Sequence, residues 1–145
     1  MSILTIAFIV TTALQMTPPQ QESEAALVAM KVSQACAEAA DRTFRAAGYD
    51  KHSNEPGVST IHTHSSHYNR ELRRCLILVQ STTVTAQRSM ISQMEEVFDA
   101  IERAQLGSLY TKGETRMLVK LEDGVLKSIP ASAANLAWFR NLMLK

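Results

Sequence analysis

From Glu22 to Ala47 the chain has neither glycine nor proline and is dense in Ala, Glu, Lys and Arg. Those residues lose little rotamer freedom in a helix, so the stretch predicts one long helix, with Ser23 as N-cap and Gly48 placed to stop it in a left-handed turn. Ala25, Val28, Val32, Cys36, Ala39 and Thr43 recur at steps of three and four, which draws an apolar stripe for a single partner surface. Lys31, Gln34, Glu38, Arg42 and Arg45 fall on the other side.

Beyond the helix the chain turns rich in β-branched residues. Val58–Ser66 and Cys75–Thr85 read as strands, with residues 67–72 forming a turn or a strand extension between them. On the second strand Cys75, Ile77 and Val79 share one face and Leu76 and Leu78 the other, the mark of an inner strand. Met117–Leu121 and Val125–Ile129 flank Glu122-Asp123-Gly124, a tight hairpin signal. After Pro130, Ser132 can cap a last helix whose apolar face holds Leu136, Phe139, Leu142 and Met143, with Trp138 alongside. The segment 88–106 reads two ways. Met90, Met94, Val97, Phe98 and Ile101 have helical spacing, with Glu95, Glu96, Asp99 and Glu102 opposite, which locally predicts an amphipathic helix. The alternative is a strand over Val97–Ile101 pairing with Leu109–Thr111. The expected fold is α+β: a long N-terminal helix and a C-terminal helix packed on a small, mainly antiparallel sheet.

The first 21 residues carry no charged side chain, and Ile3 to Leu14 is an apolar run. A dozen such residues fall short of the roughly 20 needed to span a bilayer, and they match the core of a secretory signal peptide. Residues 1–21 are therefore expected to be a signal peptide or N-terminal anchor, and 22–145 a single domain that is periplasmic or secreted. Membrane contact is expected only through an uncleaved N-terminal segment. In an oxidising compartment Cys36 and Cys75 can pair in one intramolecular way, closing a loop of about 40 residues and adding roughly 4 kcal/mol in the chain-entropy model. Neither belongs to a Cys-x-x-Cys motif, so the expected disulfide is structural.

Several elements resemble a group of short bacterial exported proteins of uncharacterised activity. These are a Cys-bearing first helix (Cys36), the segment Ser66-His67-Tyr68-Asn69, the Cys-led strand Cys75-Leu76-Ile77-Leu78, and the pair Asp99-Ala100. The resemblance covers Cys36 to Ala100. It implies an α+β fold with a strand around Asp99, and no activity.

The 15 basic and 14 acidic residues nearly cancel, and aromatics make up 6% of the chain. Neither a phosphate-binding concentration of charge nor a base-stacking platform is present, which argues against nucleic acid as a partner. His62, His64 and His67 fall within six residues. On a strand His62 and His64 share a face and could hold Zn²⁺ or Cu²⁺, whereas His67 needs a bulge to join them. His67, Tyr68 and Asn69 form a second candidate binding segment. A Ser66–His67–Asp99 triad can be drawn on paper, but no nucleophile elbow or oxyanion loop supports it. Met90, Met94 and Met117 read as core filler, with a copper-binding cluster as the alternative. The function expected from these features is a non-catalytic module that binds a protein or cell-envelope ligand, without a cofactor. The alternative is a periplasmic transition-metal binder using the three histidines.

Overall fold

In the computed structural model, which describes residues 18–51, 53–87 and 89–144, two helices cover opposite faces of one antiparallel sheet. The order is α1 (Pro18–Ala46), β1 (Ser53–Glu55), β2 (Val58–Asn69), β3 (Arg74–Thr85), β4 (Met90–Asp99), β5 (Gln105–Lys112), β6 (Thr115–Glu122), β7 (Val125–Ile129) and α2 (Ala133–Asn141). The seven strands lie in the sheet in chain order, each antiparallel to the next. The fold is α+β, as expected. Most of the proposed leader lies outside the described residues, and no described helix is long and apolar enough to cross a membrane.

The alternation along β3 decides what each helix touches. Cys75, Ile77 and Val79 meet Cys36, Ala39, Ala40 and Phe44 of α1 in one buried cluster. The small side chains at positions 39 and 40 let the helix settle close to the sheet. Leu76, on the opposite face, joins Val97, Leu109, Leu118 and, from the chain's end, Phe139 and Leu142. Both faces of this strand are thus covered, as its uninterrupted apolar run requires.

Caps and turns obey local chemistry. Gly48 takes φ 79° just past α1, and its N–H bonds the Arg45 carbonyl at 2.9 Å. Asp123 and Gly124, both at positive φ, turn β6 into β7. Ser132 caps α2 by accepting from the Asn135 N–H at 3.3 Å. The start of α1 differs from expectation: the helix already runs from Pro18, so Ser23 lies inside it instead of capping it.

For residues 88–106 the structure decides between the two readings. No helix forms there; Met90–Asp99 is strand β4, paired to β3 along nearly its whole length and to β5 from Gln93. The resemblance's strand near Asp99 is therefore found. The pairing to residues 109–111 forms too, but from Gln93, Met94 and Glu95, whereas Ile101 sits in a turn, 70% exposed. The helical spacing misleads because β4 is an inner strand with apolar residues on both faces. Val97 points to α2's side and Phe98 to α1's. Its acidic residues find cross-strand partners: Glu95 accepts from Gln80 at 2.9 Å, and Glu96 from Gln105 at 3.2 Å.

At Gly107 the side chains of α2 pack directly on the sheet backbone. A Cβ there would lie 3.0 Å from the Val119 carbonyl oxygen and 3.1 Å from the Trp138 ring. Gly107→Ala is expected to destabilise the fold by about 1–3 kcal/mol, because backbone on one side and a packed ring on the other resist displacement. The guanidinium unfolding midpoint measures this, with the fluorescence of Trp138 as reporter. An unchanged midpoint would mean that α2 does not seat here.

Candidate functional site

Among the described residues only the second half of α1 finds a surface on which to bury its stripe. From Ser23 to Ala35 the helix is exposed except for half-buried Val32, and burial begins at Cys36. This first half reaches past the sheet alongside β2, leaving a groove of about 750 Å³. One wall is helical and small: Ala25, Val28, Ala29, Val32 and Ser33. The other is the end of β2, with His67, Tyr68 and Arg70, and Glu24 lies at the helix's outer end. Val28 is 55% exposed, and Leu27 and Met30 on the helix flank are 46% and 60% exposed.

The strand wall has a second property. β1 pairs only with Val58–Thr60, so among the described residues no strand hydrogen-bonds the outer edge of β2 from Ile61 to Asn69. That edge holds no lysine, proline or bulge, the devices that usually block edge pairing.

Of the predicted binding segment, His67 and Tyr68 line this groove and Asn69 does not. Asn69 is buried and structural. Its Nδ2 donates to the Leu142 carbonyl at 3.0 Å, and its Oδ1 accepts from the Leu72 N–H at 2.8 Å, tying the β2–β3 turn to the end of α2. One nitrogen of His67, Nε2, is buried without a hydrogen-bond partner.

The three histidines do not converge. β2 pairs with β3 in unbroken register from Val58 to Asn69, so no bulge brings His67 round. His64 stacks on Phe44 with ring centroids 4.3 Å apart, and Tyr49 lies 5.2 Å from His62. Nδ1 of His62 is 2.8 Å from the Ser81 hydroxyl. Both rings are thus engaged on the α1 side, while His67 pairs across to Leu76 on the other. Among the described residues no three His, Cys, Asp or Glu side chains group as a Zn or Cu site would need. The paper triad fails on the same alternation: Ser66 and His67 point to opposite faces. Asp99 is buried at the end of β4, accepting from the Ile101 and Glu102 amides at 2.8 and 2.9 Å, with Arg74 at 3.3 Å. Met90 and Met117 are not core filler, being 62% and 52% exposed, whereas Met94 is half-buried.

Cys36 and Cys75 lie in the same buried cluster as free thiols, so the expected disulfide is not formed in this structure. Burial pushes the Cys36 thiol up to about 12, and a hydrogen bond with Cys75 adds to the rise. Such a thiol is protonated and a poor nucleophile at neutral pH. Tyr49 is likewise pushed up to about 12, first by burial and then by its 2.8 Å hydrogen bond to Glu96. The Tyr49–Glu96 and His62–Ser81 contacts carry no sequence signature, because each depends on which strands become neighbours.

Comparison with protein-family models, with curated proteins and with solved structures yields no match to this chain.

The two raised groups make stability fall at alkaline pH. Their ordinary values are 9.0 for the thiol and 10.0 for the phenol, so on raising the pH the unfolded chain releases both protons first. Their contribution is complete below about pH 9 and is lost as the pH rises to about 12. Denaturant midpoints measured across this window should fall, and Tyr49→Phe should flatten the part above pH 10. An identical slope in the variant would contradict the assignment.

Proposed function

We propose that this chain is a non-catalytic binding module of the cell envelope or the extracellular space, which takes an extended segment of a partner polypeptide into the groove between α1 and β2. The observation that carries the reading is the open backbone edge of Ile61–Asn69 standing beside an apolar helical wall. Unpaired N–H and C=O groups along a strand recognise another strand, and pockets beside it select alternate side chains. Alanines at positions 25 and 29 leave room for those side chains, and Val28 and Val32 supply apolar contact. Arg70 and Glu24 offer opposite charges at the groove for orienting the segment.

Export is supported by the uncharged leader, and a bridge by the shared burial of the two thiols. In an oxidising compartment Cys36 and Cys75 would join, surrendering two protons and two electrons to an oxidant. That would fasten α1, and with it one wall of the groove, to the central strand.

A labelled peptide of alternating valine and threonine is a suitable probe. Saturable binding is expected, weakened at least about tenfold, or about 1.4 kcal/mol, by Val28→Glu or Ser66→Lys. Binding that ignores both substitutions, or failure of a panel of such peptides to bind, overturns the reading. Cys36→Ser should lower stability more under oxidising conditions than with reductant, the difference approaching roughly 4 kcal/mol. Equal losses would show the thiols unbridged, and an intact mass including residues 1–21 in natively expressed protein would argue against leader removal.

A further inference from the structure

Among the described residues the open edge of β2 runs from Ile61 to Asn69, because β1 takes up only Val58, Ser59 and Thr60 and β2 ends at Asn69. Ser65 is the middle of that span, and no Lys, Arg, Asp or Glu lies anywhere in it. Resting on the reading of this edge as a strand acceptor, we infer that the extended segment it takes is the same edge of a second copy. The two sheets then join antiparallel into one continuous sheet about a two-fold axis through Ser65.

The span is complementary to itself in length, phase and chemistry. An antiparallel pairing that uses all of it sets Ser65 against its own copy. His64 then faces Ser66 of the second copy, Thr63 faces His67, His62 faces Tyr68 and Ile61 faces Asn69. Paired positions share parity, so side chains on the α1 side of one copy meet those on the α1 side of the other, as an isologous contact needs. Thr60, where β1 takes over the edge, falls opposite the position just past Asn69, where residues 70–73 turn back toward β3. The strands therefore fill the edge without overlapping. Each histidine stands opposite a hydroxyl, and none opposite another histidine. The Nε2 of His67 is buried without a hydrogen-bond partner, and the pairing sets the hydroxyl-bearing Thr63 of the second copy on its face. Like charges directly opposed would destabilise such a seam, and the span contains none. Alternate residues exchange two backbone hydrogen bonds each, about eight to ten in all, which is the complement of a standard-size interface.

Sedimentation equilibrium on the full chain tests this, with a dimer that dissociates in the micromolar range expected. Ser65→Lys and Ser65→Glu should each weaken it by about fivefold or more, because each sets like charges against one another at the axis. Mixing the two variants in equal amounts should restore association, through a heterodimer whose axial charges are opposite in sign. Residue 65 is exposed, and Trp138 fluorescence verifies that each variant is folded. Binding of the valine–threonine peptide, measured at nanomolar protein where the chain is monomeric, reports on the edge separately. A chain that stays monomeric up to millimolar concentration yet binds the peptide overturns the second copy as occupant and leaves the strand-accepting edge standing. One that does neither overturns both. A dimer that neither variant weakens, or that mixing does not restore, also overturns the inference, because that association runs through another surface.

Discussion

Strand β3 is held from both sides, and the rest of the structure is arranged around that clamp. Cys75, Ile77 and Val79 press against α1, while Leu76 on the reverse face joins the cluster built with α2. Each such side chain contributes about 1.5–3 kcal/mol on burial, so a few residues of one strand anchor both helices. Because the two clusters lie on opposite faces, neither helix can shift without exposing part of the same strand. Smaller ties hold the ends. The Thr43 hydroxyl donates to the Ala100 carbonyl at 2.7 Å, and the Ala100 N–H donates to the Cys75 carbonyl at 2.7 Å.

Clamping the middle of the sheet leaves its margins unfinished, and the candidate binding surface lies there. α1 is longer than the strip it covers, so its first half stands beside β2 with its apolar stripe open. Among the described residues β1 is too short to seal the edge of β2, and α1 covers β4 only as far as Phe98. The groove and the open sheet face are thus two consequences of one mismatch between helix length, strand length and sheet width. Of the two, the groove offers a backbone ladder, which suits a strand.

The helices and hairpins were legible because their signals are local. Gly48, the Asp123-Gly124 turn and the Ser132 cap each act within a few residues, and each occupies its expected place. The alternation in β3 was equally readable, since five successive apolar residues need cover on both faces. Residues 88–106 stayed open between helix and strand because an inner strand with apolar side chains on both faces also satisfies a helical period. The histidines show the same limit in milder form. Period-two alternation separated His67 from His62 and His64, but only the structure placed Phe44 and Tyr49 against the latter two.

By itself the sequence determined which stretches favour helix, where the chain must turn, and which alternate residues of β3 seek cover. These depend on backbone sterics and side-chain pattern over short distances. The tertiary structure alone decided that β4 is a strand, that seven strands succeed one another in order, and that Cys36 and Cys75 share one buried cluster. It also decided that, among the described residues, the first half of α1 and part of one sheet face lack cover. Those outcomes depend on which distant segments become neighbours, and burial against a neighbour outweighs local preference whenever the two disagree.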